Sequence, residues 1–302
     1  MPLDSLNHML PLCWKFLPAI YVALSNDKVL GLVWLSRDGY RVERWKVDRI
    51  ILDPEAYSAL DVGKELLYFV MNQFGAKGVE TFLACVAPHD DIGLALLKDC
   101  GFRHCTKSYM MQLEDLPEIA RQNTLLIEGL REARSTDARK LQELYSETLV
   151  PEVRISLRKS PEDLYPPVWE GMIRRCRGEF EKRWVISQGS RDYLSGSISF
   201  STRDYKFFSI SLLVSPGWEQ GTEDLLTFAL QKISQSCLNP KVSVEIYEFQ
   251  KNTRDVLEKL GFTTAYTHEI LVKDYWIPLK DRGLKLKNPV LLFAKGGNTS
   301  PA

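Results

Sequence analysis

At 302 residues the chain is long enough for about two domains of the usual ~100 to 200 residues, and a hydrophobic content of 45% allows each its own core. Lys+Arg and Asp+Glu both number 39 and the pI is near 6.9, which excludes a global attraction to nucleic acid or an anionic membrane and points to a small-molecule or peptide partner. No apolar run approaches the ~20 residues of a spanning helix, Asp4, Pro11, Lys15 and Pro18 break the first residues in a way unlike a signal peptide, and six cysteines form no CxxC pair, so a cytoplasmic chain with structural thiols is expected.

Taken in chain order, Ile20 to Leu24 and Val29 to Leu35 flank the polar turn Ser25-Asn26-Asp27-Lys28 and read as a hairpin. Arg44 to Leu52 alternates around Trp45, Val47 and Ile50 and ends at Asp53-Pro54. Gly63 to Phe74 has the 3.6-residue stripe of a buried helix, through Leu66, Val70 and Phe74. A strand from Glu80 to Val86, a helix from Asp91 to Cys100 and a strand from Tyr109 to Leu113 follow. The polar stretch Leu116 to Thr124, with Pro117, is the expected linker, and it divides the chain into domains 1-122 and 123-302. Beyond it come a strand over Leu126 to Glu132, a helix from Thr136 to Thr148 capped by Thr136, and a helix from Pro166 to Trp184. A hairpin from Trp184 to Ser201, a strand Phe207 to Val214 ending at Ser215-Pro216 and a helix Thr222 to Ser236 complete the run. It closes with Lys241 to Tyr247 and Asn252 to Leu260.

Each half therefore ends its last helix in Gly-Phe, at Gly101-Phe102 and Gly261-Phe262, 160 residues apart. Pro54 and Pro216 repeat at an offset of 162 and Leu67 and Leu226 at 159, so the chain contains one fold twice, at a period far beyond the roughly 20 to 50 residues of solenoids. The first copy lacks the leading strand and two helices of the second.

This element order resembles the GNAT superfamily of N-acetyltransferases over Ile20 to Leu113 and Leu126 to Val272. The residues that carry the resemblance are Leu52-Asp53-Pro54 with Gly63-Lys64-Glu65-Leu66-Leu67, Val214-Ser215-Pro216 with Gly221 and Leu225-Leu226, and the two Gly-Phe stops. The implied fold is α/β, with two tandem GNAT-like domains, each a mixed, mainly antiparallel sheet flanked by helices. The implied reaction is acyl transfer from acetyl-coenzyme A to a small-molecule or peptide amine by direct attack. A non-catalytic protein binding coenzyme A, a metabolite or a protein partner is the alternative. Neither reading needs a metal, and His8, His89, His104 and His268 lack metal-ligand spacing.

In that family a glycine-rich loop at a helix N-terminus wraps the coenzyme A pyrophosphate, because backbone N–H groups must approach a doubly charged group. The implied cofactor contacts are Leu52, Asp61, Val62, Gly63 and Lys64 in the first copy and Val214, Gly221 and Thr222 in the second. The second loop carries Glu219, Glu223 and Asp224, which compete with phosphate for the same amides, so the first loop is the expected site. The family's usual acid, a tyrosine four residues before the glycine of Gly-Phe, falls on Leu97 and Leu257. Tyr109, with Tyr247 and Tyr266 beside it, is the candidate acid, and Glu43 and Asp48, or Glu245 and Glu248, are candidate bases. The basic run Arg174-Arg175-Cys176-Arg177 with Lys182 and Arg183 reads first as a solvated face and second as an anion holder.

Overall fold

The computed structural model describes residues 18–25, 28–54, 58–121, 125–187, 193–237 and 239–275. The first copy runs β1 (Ala19–Ser25), β2 (Lys28–Arg37), β3 (Arg44–Leu52), α1 (Ala59–Gly75), β4 (Thr81–Val86), α2 (Asp91–Asp99) and β5 (Arg103–Leu113). The second opens with β6 (Leu130–Glu132), α3 (Ala138–Thr148), α4 (Pro151–Arg154), α5 (Pro161–Leu164) and α6 (Val168–Cys176). It continues through β7 (Phe180–Ile186), β8 (Gly196–Thr202), β9 (Phe207–Val214), α7 (Thr222–Ser234), β10 (Lys241–Tyr247), α8 (Lys251–Lys259) and β11 (Thr263–Asp274).

Among the described residues the 11 strands form one mixed sheet in the order β1-β2-β3-β4-β11-β5-β10-β9-β8-β7-β6. The two copies exchange their last strands. β11 inserts between β4 and β5, with Ile270 opposite Cys85 and His268 opposite Ser108, and β5 in turn pairs with β10, Tyr109 opposite Ile246. Both central pairings are antiparallel, so a pseudo-two-fold axis passes between β5 and β11. Each copy has a single strand after its Gly-Phe stop, and the exchange gives both ladder edges of that strand a partner.

The Gly-Phe stops are helix C-caps of Schellman type. The Gly101 N–H donates to Lys98 O at 2.8 Å and Phe102 N–H to Leu97 O at 3.0 Å, and Gly261 and Phe262 repeat this with Glu258 and Leu257 at 3.0 Å each. Gly101 and Gly261 take φ of 83° and 92°, where a side chain would be strained. Leu97 and Leu257 are the buried apolar partners of this motif, which accounts for leucine where the family carries tyrosine.

On the back of the sheet, α1 and α2 bury Leu66, Leu67, Val70, Met71 and Phe74 against Val33, Leu35, Val47 and Phe82. α7 and α8 cover Ile198, Phe200, Ile210, Val242 and Val244. The exchanged strands deliver core residues across the join: Leu271 of β11 belongs to the first core and Met111 of β5 to the second, both fully buried. On the front, α3 to α5 bring Leu141, Leu144, Tyr145 and Val153 onto Leu83, Ile270 and Val272 as well as Val185 and Leu213. Helices of the second copy thereby cover β4 of the first. Arg103 donates to Ser156 Oγ at 2.7 Å and the Tyr40 N–H to Asp163 Oδ1 at 2.6 Å, and the Arg44 guanidinium donates to Arg158 O. Among the described residues the front of β1 to β3 has no such cover, and Ile20, Val22, Leu24, Trp34 and Ile51 are exposed there.

Several elements differ from the sequence reading. The strand expected over Leu126 to Glu132 is limited to Leu130–Glu132, because a turn closed by the Leu130 N–H on Ile127 O, with Gly129 at φ 78°, precedes it. The helix expected over Pro166 to Trp184 stops at Cys176 because Gly178, at φ 77°, turns the chain into β7. α3 starts at Ala138 instead of at Thr136, because Ser135–Asp137 form a 3-10 turn ahead of it; Asp137 makes no side-chain cap bond to α3, and its carboxylate accepts two bonds from Arg131, at 2.7 and 2.8 Å, and one from the Arg134 N–H at 2.8 Å. The expected linker is docked. Leu116 and Ala120 are buried, and Ser234 Oγ and Gln231 Nε2 donate to the carbonyls of Ala120 and Ile119 at 2.7 and 3.1 Å. Residues 122–124 of that linker lie outside the described residues.

Two predictions follow from these contacts. Residues 1 to 122 alone lack β11 and the cover over Leu83, so this fragment should be insoluble or molten while the intact chain melts in one calorimetric transition; a soluble fragment with its own sharp melt would refute the shared sheet. Asp137, pushed below the ordinary carboxylate range chiefly by its bonds to Arg131, contributes stability that is present above about pH 4 and is lost as pH falls through its lowered value. Asp137→Asn should cost about 1.5 to 3 kcal/mol at pH 7 and progressively less in acid, read by denaturant melts across that range.

Candidate functional site between the two copies

Parallel pairing is short in both copies: Arg44 to Val47 pair with Thr81 to Ala84, and Phe207 to Ile210 with Lys241 to Val244. Beyond those residues the strands part at their carboxyl ends, and such a crevice is where open α/β sheets take ligands. In β3 the parting coincides with a bulge. Val47 faces Leu35 and Arg49 faces Trp34, which leaves Asp48 unpaired with β2 at the crevice. The equivalent β8–β9 pairing is regular.

The helix that follows each parted strand differs between the copies. In the second, the indole of Trp218 is buried over Gly221 and Gly196. A Cβ on Gly221 would overlap the ring, and one on Gly196 would meet it at 2.7 Å. The space that a pyrophosphate would use is filled by the protein itself, so Val214, Gly221 and Thr222 do not fit that group. In the first copy Gly63 faces inward, where a Cβ would stand 3.0 Å from Leu52 and Leu96, so this glycine lets α1 approach the sheet. The outer side of its first turn is open: Ser58, Leu60 and Asp61 are exposed. Lys64 lies there with its ammonium 2.7 Å from Asp99, which raises its pKa. Of the two helix starts, the first has the more exposed turn among the described residues, and it carries Asp61 within that turn; residues 55–57 of its loop lie outside the described residues.

Glu43, Asp48 and Tyr109 do not converge. The Glu43 carbonyl accepts the N–H groups of Glu80 and Thr81 at 2.7 and 3.0 Å, joining β3 to β4. Asp48 sits at the bulge. Tyr109 is on the back of the sheet, where Arg254 stands 4.7 Å over its ring. Tyr266 is exposed beside His268, and the Glu248 N–H donates to Lys107 O.

A different set does meet, on the front face beneath α3 to α5. The Cys85 thiol, pushed up by burial, feels Lys46, Asp38 and Asp48 from its own copy and Glu245 from the other. Glu245 and Tyr247 lie on one face of β10, just past the point where β9 leaves it. Tyr145 donates to Leu157 O at 2.9 Å and meets the Tyr247 hydroxyl, and burial holds both phenols protonated well above their ordinary range. The Lys159 ammonium stands 5.0 Å over the Tyr145 ring, its pKa pulled down by enclosure, an effect that Asp38, Glu245 and Asp163 oppose. Lys159 and Glu245 still touch water, so the cluster lines a wet recess walled by protein. Asp38, Tyr145 and Lys159 carry no local sequence signal, since a hairpin turn, a helix and a loop meet only through the strand exchange. At the repeat offset Glu245 and Tyr247 correspond to Cys85 and Ala87, so the first copy has no matching acid or base. Among the described residues no group of three His, Cys, Asp or Glu is placed to hold a metal, and no helix is long and apolar enough to cross a membrane.

The Trp218 plug is testable. Gly221→Ala should destabilise strongly in the native background and much less in Trp218→Ala, which itself loses about 3 to 5 kcal/mol, and the double-mutant cycle measures the coupling. Equal costs in both backgrounds would refute the packing role of Gly221.

No protein-family model matches the chain, and no curated protein matches it. Solved structures do. A tandem GNAT protein from the clavulanic acid biosynthesis pathway superposes with a TM-score of 0.56 at 16% identity, over 87% of this chain and 85% of its own. A GCN5-related N-acetyltransferase from Sphaerobacter thermophilus does so at 0.55 and 14%, over 84% and 80%. Likeness at these identities is one of fold: the chain has a tandem GNAT-like fold, a mixed sheet flanked by helices on both faces.

Proposed function

We propose that the protein is an acyl-coenzyme A dependent N-acyltransferase, most simply moving acetyl from acetyl-coenzyme A to a small-molecule or peptide amine by direct attack. The observation that carries the reading is that Glu245 and Tyr247 share the front face of β10 past its parting from β9, with Tyr145 at the Tyr247 hydroxyl, while charges of both copies, Asp48 and Glu245 among them, act on Cys85. Bound coenzyme A would supply the acyl thioester. Asp61, Val62, Gly63 and Lys64 would hold its anionic end, with Leu52 ending the strand that feeds them. Glu245, an exposed carboxylate in the recess, is suited to take the proton that an ammonium must lose before it attacks. Tyr247 keeps its proton at neutral pH, and its O–H is suited to hydrogen-bond a departing thiolate, a contact that Leu97 and Leu257 have no O–H to make. The five described cysteines are free, which supports a cytoplasmic setting.

A specific observation favours a second reading, a non-catalytic coenzyme A or metabolite binder. Trp218 packs over one helix start, and Lys64, at the other, is paired with Asp99.

The two readings separate in one experiment. Thiol release from acetyl-coenzyme A should appear with some member of an amine panel and should fall about 10² to 10⁴-fold in kcat/KM in Glu245→Gln, with a loss in Tyr247→Phe as well. Coenzyme A at 100 times its Kd should add about 2.7 kcal/mol of stability in all three proteins. That stabilisation without thiol release for any amine would replace acyl transfer with binding, and its absence would overturn both.

A further inference from the structure

Outside the recess, a cavity of about 1120 Å³ lies between the front of β7 to β10 and helix α6. Its floor is a grid of directly opposed residues. Arg183, Ser199 and Ser211 form one row across β7, β8 and β9, and Ser201, Ser209 and Ser243 form a second across β8, β9 and β10. Four of these hydroxyls, on Ser199, Ser201, Ser209 and Ser211, have no protein partner among the described residues. Short side chains leave the volume open, and hydroxyls that both donate and accept line it at strand spacing, about 4.8 Å one way and 7 Å the other. The back of the same strands is filled with Ile198, Phe200 and Ile210, so the serine face is a property of this side alone.

Several charges at the rim are paired: Arg174 with Glu170 and Glu181, Arg203 with Glu179, and Lys241 with Glu114. Arg183, on the floor, is satisfied only in part. Glu181 holds its Nη2 at 2.9 Å, but Nη1 is shut off from bulk water and has no hydrogen-bond partner among the described residues. A buried guanidinium N–H without an acceptor calls for one, and carboxylate or phosphate suits it best. The roof adds access: α6 buries none of its residues, with Val168 and Met172 well exposed. The floor also lies beside the recess on β10. Ser243 and Glu245 share a face of β10 two residues apart, about 7 Å along the strand.

We propose that this cavity is the acceptor site, and that its ligand is an amine bearing several hydroxyl groups and one anionic group, carboxylate or phosphate, which Arg183 receives. The hydroxyls lie over the serine grid and the amine extends toward Glu245. This deepens the acyl-transfer reading and rests on it for the fate of the amine; the binding itself does not need coenzyme A.

Calorimetry on the intact chain without coenzyme A tests it, with muramic acid as the probe against glucosamine, which lacks the anion, glucuronic acid, which lacks the amine, and spermidine, which lacks the hydroxyls. Muramic acid should bind at least tenfold more tightly than the other three. Arg183→Gln should bring muramic acid down to the level of glucosamine while leaving glucosamine unchanged, which a collapsed fold would not do. Ser209→Leu should fill the floor and weaken both, with the coenzyme A thermal shift unaltered. Equal affinity for muramic acid and glucosamine, or an Arg183→Gln protein that keeps the preference, would overturn the proposal, as would no binding of any probe to a protein that still binds coenzyme A. Preferential binding with no acyl transfer would support the site while removing the transfer reading.

Discussion

Neither copy closes its own sheet, and the reciprocal loan of β5 and β11 is the constraint on which the rest depends. A strand inserted between two others forms ladder bonds on both sides and buries side chains on both faces, so Leu271 and Met111 each complete a core that belongs mainly to the other copy. Removing either would strip apolar cover and leave backbone N–H and C=O groups without partners in a place water does not reach. The two cores therefore stand or fall together, unlike domains that touch across a polar interface of their own.

The same exchange creates the recess. With β11 and β5 at the centre, β4 and β10 come to lie on either side of a shared front face, and α3 to α5 pack across both. Asp38 and Arg44 arrive from the β2–β3 connection, Tyr145 from α3 and Lys159 from the loop before α5, and Glu245 and Tyr247 from the second copy's parted strand. Enclosure keeps the phenols protonated and lowers the Lys159 pKa, while Glu245 retains water. Groups with such opposed environments, held close together, are the usual ingredients of acid–base chemistry.

Much of the fold was legible because its signals are local. Gly101-Phe102 and Gly261-Phe262 announce a Schellman cap at fixed spacing, and the apolar stripe of Leu66, Val70 and Phe74 needs only helical period to be read. What stayed hidden is non-local. Nothing in Thr263 to Asp274 says that it pairs with β4 rather than within its own copy, because alternating strands carry no label for their neighbour. The site inherits that blindness. Glu245 and Tyr247 could be named as titratable strand residues, whereas Lys159, in a loop far off in sequence, could not be joined to them. Tyr109 failed for a simpler reason: one residue along a strand flips the face, and it points back toward Arg254.

The two glycine loops show how a shared motif can serve packing in both copies and still differ in what it leaves open. Each parted strand ends opposite a glycine, Leu52 opposite Gly31 and Val214 opposite Gly196, and each loop supplies a second glycine nearby. In the first copy the side chain lodged between the two glycines is Leu52, which belongs to the strand and stays beneath the helix. In the second it is Trp218, which belongs to the loop and lies over the helix start, so an aromatic ring occupies the volume that helix amides would otherwise offer to an anion. The difference is one of which element provides the filler, and it sorts the copies by role. The second copy, with Trp218 over its helix start, supplies Glu245, Tyr247 and the serine-lined cavity, and the first supplies a helix start whose first turn is exposed. A division of this kind works only when the two halves are held in register, which the exchanged strands ensure.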